Sequence, residues 1–117
     1  MQREYKAYLK DVLGAIKKIE RYTENLSIDG FAEDELIQDG VVRNLEIIGE
    51  AVKSIPDDIK IRNPEIEWKK IAGLRDILIH AYFGIDIEVV WDIIKNKIPG
   101  MKKKSLELLL EMEDAEK

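Results

Sequence analysis

Cysteine is absent from this 117-residue chain. That excludes a disulfide scaffold, a thiol nucleophile, thiolate-bound zinc and iron–sulfur clusters. Histidine occurs once, so a two-histidine metal site would need a second chain. Positive charge is outweighed, with 19 Lys and Arg against 24 Asp and Glu and a net charge of −5. Such a balance argues against non-specific coating of nucleic acid but leaves room for a local basic patch. No apolar run approaches the roughly 18 to 20 residues of a membrane span, and the first residues are too charged for a signal peptide. Proline appears only at positions 56, 64 and 99. No Gly-rich phosphate loop occurs, so the chain itself is not expected to bind ATP; no repeat or low-complexity tract is present, and neither a cofactor nor a bound metal is expected. The composition predicts one cytoplasmic, soluble domain spanning residues 1–117, large enough to bury a core without staples.

What is present is helical periodicity. Tyr5, Leu9, Val12, Leu13, Ile16 and Ile19 recur at three- and four-residue steps and predict a helix over about 3–24. Residues 27–30 read as a turn. A second helix follows, with Leu36, Leu45, Ile48, Val52 and Ile55 facing inward, ending at Pro56. Residues 57–63 read as a polar connection. The third helix starts either at the Asn63-Pro64 pair or nearer Trp68 and runs to about Tyr82. Residues 83–85 form a break, and Asp86 caps a fourth helix carrying Val89, Val90, Ile93 and Ile94. Pro99-Gly100 interrupts it before helical character resumes. The fold class is therefore all-α, an antiparallel bundle of four main helices, or five segments if the last stretch counts separately.

The third helix carries the chemistry. At about 100° per residue, Ile71, Leu74, Ile77, Leu78 and Ala81 share one apolar arc. Arg75, Asp76, His80 and Tyr82 lie on the other side together with Ile79, Ala72 and Gly73. Asp76 and His80 are an i,i+4 pair, which lets the carboxylate orient or charge the imidazole. The plain alternative is a solvated face with unrelated charges. Ile79 and the two small residues inside the polar arc favour an interface over bare solvent.

The pattern Arg75-x4-His80-x-Tyr82 resembles the Arg-x4-His-x-Tyr motif of the HepT-like family in the HEPN superfamily. Residues 43–51 (RNLEIIGEA) look like that family's second-helix signature, and Trp68, Phe83-Gly84-Ile85-Asp86 and Val89-Val90-Trp91 are also similar. The resemblance covers nearly the whole chain. It implies a HEPN-like helical bundle that forms a homodimer or higher oligomer, with Arg75 and His80 acting as a metal-independent endoribonuclease at the dimer interface. It further implies a toxin of a toxin–antitoxin pair, neutralised when an MntA-like nucleotidyltransferase adds AMP to Tyr82. Asp76 departs from the family, where Asn is frequent at that position. A carboxylate there can orient His80 and also brings negative charge toward an RNA phosphate. The alternative function is a catalytically silent partner or scaffold of the nucleotidyltransferase.

The residues make sense of this chemistry by themselves. Cleavage by the 2′-OH of RNA needs a base, an acid and a cation for the phosphate oxygens. Imidazole suits either proton role, and the Arg fork matches two phosphate oxygens. One His per chain does not comfortably serve as both acid and base, so a two-fold site is favoured. Lys95, Lys97, Lys102, Lys103 and Lys104 could guide RNA, although a solvated surface balanced by Glu is the more ordinary reading. Arg43, Glu46 and Glu50 read as a structural ion-pair set, or as support beside the site. Glu33-Asp34-Glu35 and Asp57-Asp58 suit helix starts better than metal sites. Trp68 and Trp91 read as core or interface anchors, with base contact as the alternative.

Overall fold

The computed structural model describes residues 2–74 and 86–115, and every regular element among them is helical. Helix α1 spans Gln2–Thr23, α2 Ile28–Glu33, α3 Glu35–Lys53, α4 Asp57–Arg62 and α5 Trp68–Ala72. Helix α6 spans Ile87–Asp92, and a π-helical turn at Ile93–Lys97 leads directly into α7, Ile98–Ala115.

The expected stripe of α1 is buried in full, with Ile16 and Ile19 completely covered and Leu9 and Val12 at 1% exposure. It packs against α3 and α7. On α3, Val41, Leu45 and Ile48 are likewise fully covered. Each such side chain contributes about 1.5–3 kcal/mol relative to exposure, so this pair is the frame of the molecule. Their approach is close. A Cβ added to Gly40 would stand 3.1 Å from the Tyr22 ring, which is why a glycine serves there.

Polar groups set the corners. Helix α1 ends with Asn25 in the left-handed region at φ 59°, a conformation asparagine tolerates at helix ends. Ser27 caps α2 by accepting from the Gly30 N–H, so the expected turn at 27–30 is instead the start of a short helix. Gln38 Nε2 donates to the Phe31 and Ala32 carbonyls at 2.7 and 3.1 Å, locking the corner between α2 and α3.

Three further expectations are corrected. Leu36 is 83% exposed, because nine residues of helix turn it through about 900°, opposite Leu45. The connection at 57–63 contains α4, whose acidic first turn and basic last turn match the helix dipole. Pro99-Gly100 does not interrupt the last helix. The Ile98 N–H reaches back to the Ile93 carbonyl, five residues away, and this wider turn precedes the proline ring that would otherwise crowd the carbonyl four residues before it. Asp86 caps α6 as expected, accepting from the Val89 N–H at 3.2 Å. Val90, Ile93 and Ile94 are buried, while Val89, at the edge of their stripe, is 39% exposed.

Candidate functional site

Arg75, Asp76, Ile79, His80 and Tyr82 lie outside the described residues, as do Ile77, Leu78, Ala81 and the break at 83–85. The structure describes what leads into and out of this segment. On the incoming side, α5 packs on α3, and Ile71 and Leu74 are buried in the core as the apolar arc requires. Helix α5 begins at Trp68, the later of the two starts considered. The Trp68 indole N–H donates to the Asn63 carbonyl at 2.9 Å, tying α5 to the end of α4. Ala72 is half-buried and packs at the edge of the core. On the outgoing side, Asp86 and α6 resume the chain against α2.

Ion pairs tie the incoming side to the last helix. Glu67 lies 3.0 Å from Lys70 and 3.9 Å from Lys97. Lys104 pairs with Glu65 and, at 3.3 Å, with Glu107. Lys102 meets Glu20 of α1 at 3.0 Å. The hydrogen bond from Lys104 holds the Glu65 carboxyl below its usual range and raises the lysine above its own. Lys70 acts the same way on Glu67, with Lys97 adding to it. Most of the expected basic cluster is therefore balanced by glutamate, the ordinary reading. Lys95 stands apart, with its ammonium 4.8 Å from the Trp91 ring centre. Trp91 in turn leans on the buried Phe31, ring centres 5.4 Å apart and tilted by 36°. This pair was legible in the i,i+4 spacing of Trp91 and Lys95, but the dominance of like charge in that stretch obscured it.

A second feature faces outward between α1 and α3. A groove of about 510 Å³ is lined by Tyr8, Asp11, Arg43, Glu46, Ile47 and Glu50, among others. Glu50 lies 3.7 Å from Lys53. Among the described residues no ion pair joins Arg43 to Glu46. The acidic groups take the helix-start roles foreseen for them. Asp34 caps α3 by accepting from the Ile37 N–H at 3.0 Å, and Asp58 pairs with Arg62 at 3.8 Å. Among the described residues no cluster of three His, Cys, Asp or Glu could hold a metal ion, and no helix is long and apolar enough to cross a membrane.

An all-α bundle, with an Arg-x4-His-x-Tyr segment between α5 and α6, is the class of protein defined by these observations. The ribonuclease HepT-like family model matches residues 12–108, and the chain belongs to that family. A Thermococcus cleftensis protein named as a probable ribonuclease HepT is 48% identical over 104 residues, covering 89% of this chain and 94% of its own. A Methanocaldococcus jannaschii protein with a provisional RNase name is 42% identical over 112 residues, covering 96% and 93%. In another from the same organism, 39% identical, the match is 97% of this chain but 51% of a longer protein whose name adds a gamma-glutamylcyclotransferase. No solved structure matches this chain.

Proposed function

We propose that this protein is a metal-independent endoribonuclease working as a homodimer, and the toxin half of a toxin–antitoxin pair. The observation that carries the reading is the Arg75-x4-His80-x-Tyr82 segment inside a chain whose relatives carry ribonuclease names. RNA supplies its own nucleophile. The 2′-OH attacks the adjacent phosphorus, the bond from oxygen to phosphorus forms, and the bond to the 5′-oxygen breaks. One imidazole takes the hydroxyl proton and another gives a proton to the departing oxygen, which leaves a 2′,3′-cyclic phosphate and a 5′-hydroxyl. His80 and His80 of the partner subunit fill those two roles. Arg75 holds the phosphate oxygens with its planar fork, and Asp76 orients His80.

Control enters through Tyr82. A nucleotidyltransferase partner adding AMP there places a charged phosphate beside Arg75, which then pairs with it instead of with RNA. Co-expression with such a partner adds AMP mass to the chain and suppresses cleavage, and Tyr82→Phe escapes both. The test of the catalytic reading is cleavage of RNA by the purified chain in EDTA. A 2′,3′-cyclic end, lost with Arg75→Ala or His80→Ala, supports it, and a 5′-phosphate end contradicts it. Asp76 favours the second reading, a silent scaffold of the nucleotidyltransferase, because its charge opposes RNA phosphate. In that case the wild-type chain binds the enzyme and cuts nothing.

A further inference from the structure

Three features distinguish Trp91 and Lys95 from the rest of the surface. First, the ring has a fixed backing. Phe31 is fully buried and holds one side of the half-buried indole at 5.4 Å between ring centres. Second, a movable group also lies over the ring, the Lys95 ammonium 4.8 Å from the ring centre on an exposed side chain. Among the described residues no carboxylate pairs with Lys95, whereas Lys97, Lys102 and Lys104 each meet a glutamate. The nearby Asp92 accepts instead from Asn96 at 2.6 Å. Third, the pair lies just past the motif segment. Trp91 stands five residues into the helical stretch after Asp86, about 7.5 Å along its axis. The four residues from Tyr82 to Asp86 cannot span more than about 14 Å.

We propose that Trp91 and Lys95 form a subsite for single-stranded RNA beside the catalytic segment, an inference that rests on the ribonuclease reading. In the free protein the ammonium lies over one face of the indole. When RNA arrives, an unpaired base stacks on that face, and Lys95 moves outward to the phosphate of the same nucleotide. Stacking on a ring needs no particular base, so the subsite is tolerant of sequence. A base held in a duplex has no free face to offer, so the subsite selects single strands. The separation from Tyr82 is within the several nucleotides that a single-strand surface covers.

Binding tests this apart from cleavage. The His80→Ala chain is titrated with a labelled uridine-rich oligonucleotide across a range of salt. Adding Lys95→Gln weakens binding several-fold at low salt and lowers the slope of log affinity on log salt by about 0.7, the value for one phosphate contact on a single strand. In a Trp68→Phe, His80→Ala chain, where Trp91 is the remaining indole, the same oligonucleotide quenches tryptophan fluorescence and the matching duplex does not. An unchanged salt slope in Lys95→Gln, or an indole that RNA leaves unquenched, overturns the subsite. A wild-type chain that binds this way but cuts no RNA contradicts the ribonuclease reading instead.

Discussion

Helices α1 and α3 meet across an apolar seam, whereas the stretch from Ile87 to Ala115 adds exposed ion pairs to its apolar contacts. In the seam, Leu9, Val12, Ile16, Ile19, Val41, Leu45, Ile48 and Val52 are all at 2% exposure or less. In α7, Ile98 and Leu108 reach the core, but Leu106 and Leu110 remain 41% and 58% exposed. Met101, Leu109 and Met112 pack at the edge of the core, and lysine–glutamate pairs join α7 to α1 and to the residues before α5. The two regions do different jobs. Buried apolar area is indifferent to salt and fixes the position of α3, on which α5 rests. Exposed ion pairs are weak and screened, so the charged side answers to salt where the seam does not.

Cutting the seam has the largest expected effect. Ile48→Ala removes a fully covered side chain and destabilises the fold by about 2–5 kcal/mol, measured by urea denaturation. Next comes alkaline pH. Burial, helped by the nearby Glu111 carboxylate, pushes the Tyr5 hydroxyl up to about 12 from 10.0. The unfolded chain therefore loses this proton first, and the stability is whole below pH 10 and falls as pH rises from 10 to about 12. The loss approaches about 2–3 kcal/mol, and Tyr5→Phe flattens that part of the profile. A smaller effect marks the boundary of the motif segment: Asp86→Ala deletes the α6 cap and costs about 1 kcal/mol in thermal unfolding. The smallest belongs to the charged side, where Lys102→Gln breaks the pair with Glu20 and costs no more than about 1 kcal/mol, a difference that vanishes in high salt. A large salt-resistant loss at Lys102 would erase the contrast between the two regions.

The same contrast explains what was legible in the sequence. The stripe of α1 and the buried positions of α3 follow from period alone, because one apolar face meets another. Leu36 was misplaced because an apolar residue nine positions from Leu45 keeps its type but not its side of the helix. Helix α4 was hidden by its charges, although Pro56 followed by Asp57-Asp58 is as good a helix start as a stop. Pro99 was read as a break because a helix with a π turn beside it has no distinct residue pattern. The pairs joining Lys97 to Glu67 and Lys104 to Glu65 cross thirty or more positions of sequence, and only the fold brings them together. The candidate site was named by the resemblance of Arg75-x4-His80-x-Tyr82 to a family motif, since a lone His and Arg on one helix face do not distinguish a site from a solvated surface.

Cleavage of single-stranded RNA by the purified wild-type chain and its His80→Ala variant, side by side in EDTA, tests the central claim most directly. The account predicts products ending in a 2′,3′-cyclic phosphate from the wild-type chain and a rate at least about 10²-fold lower from the variant, with both chains equally helical by circular dichroism. Equal rates from the two chains, or no cleavage by the wild type, would contradict it.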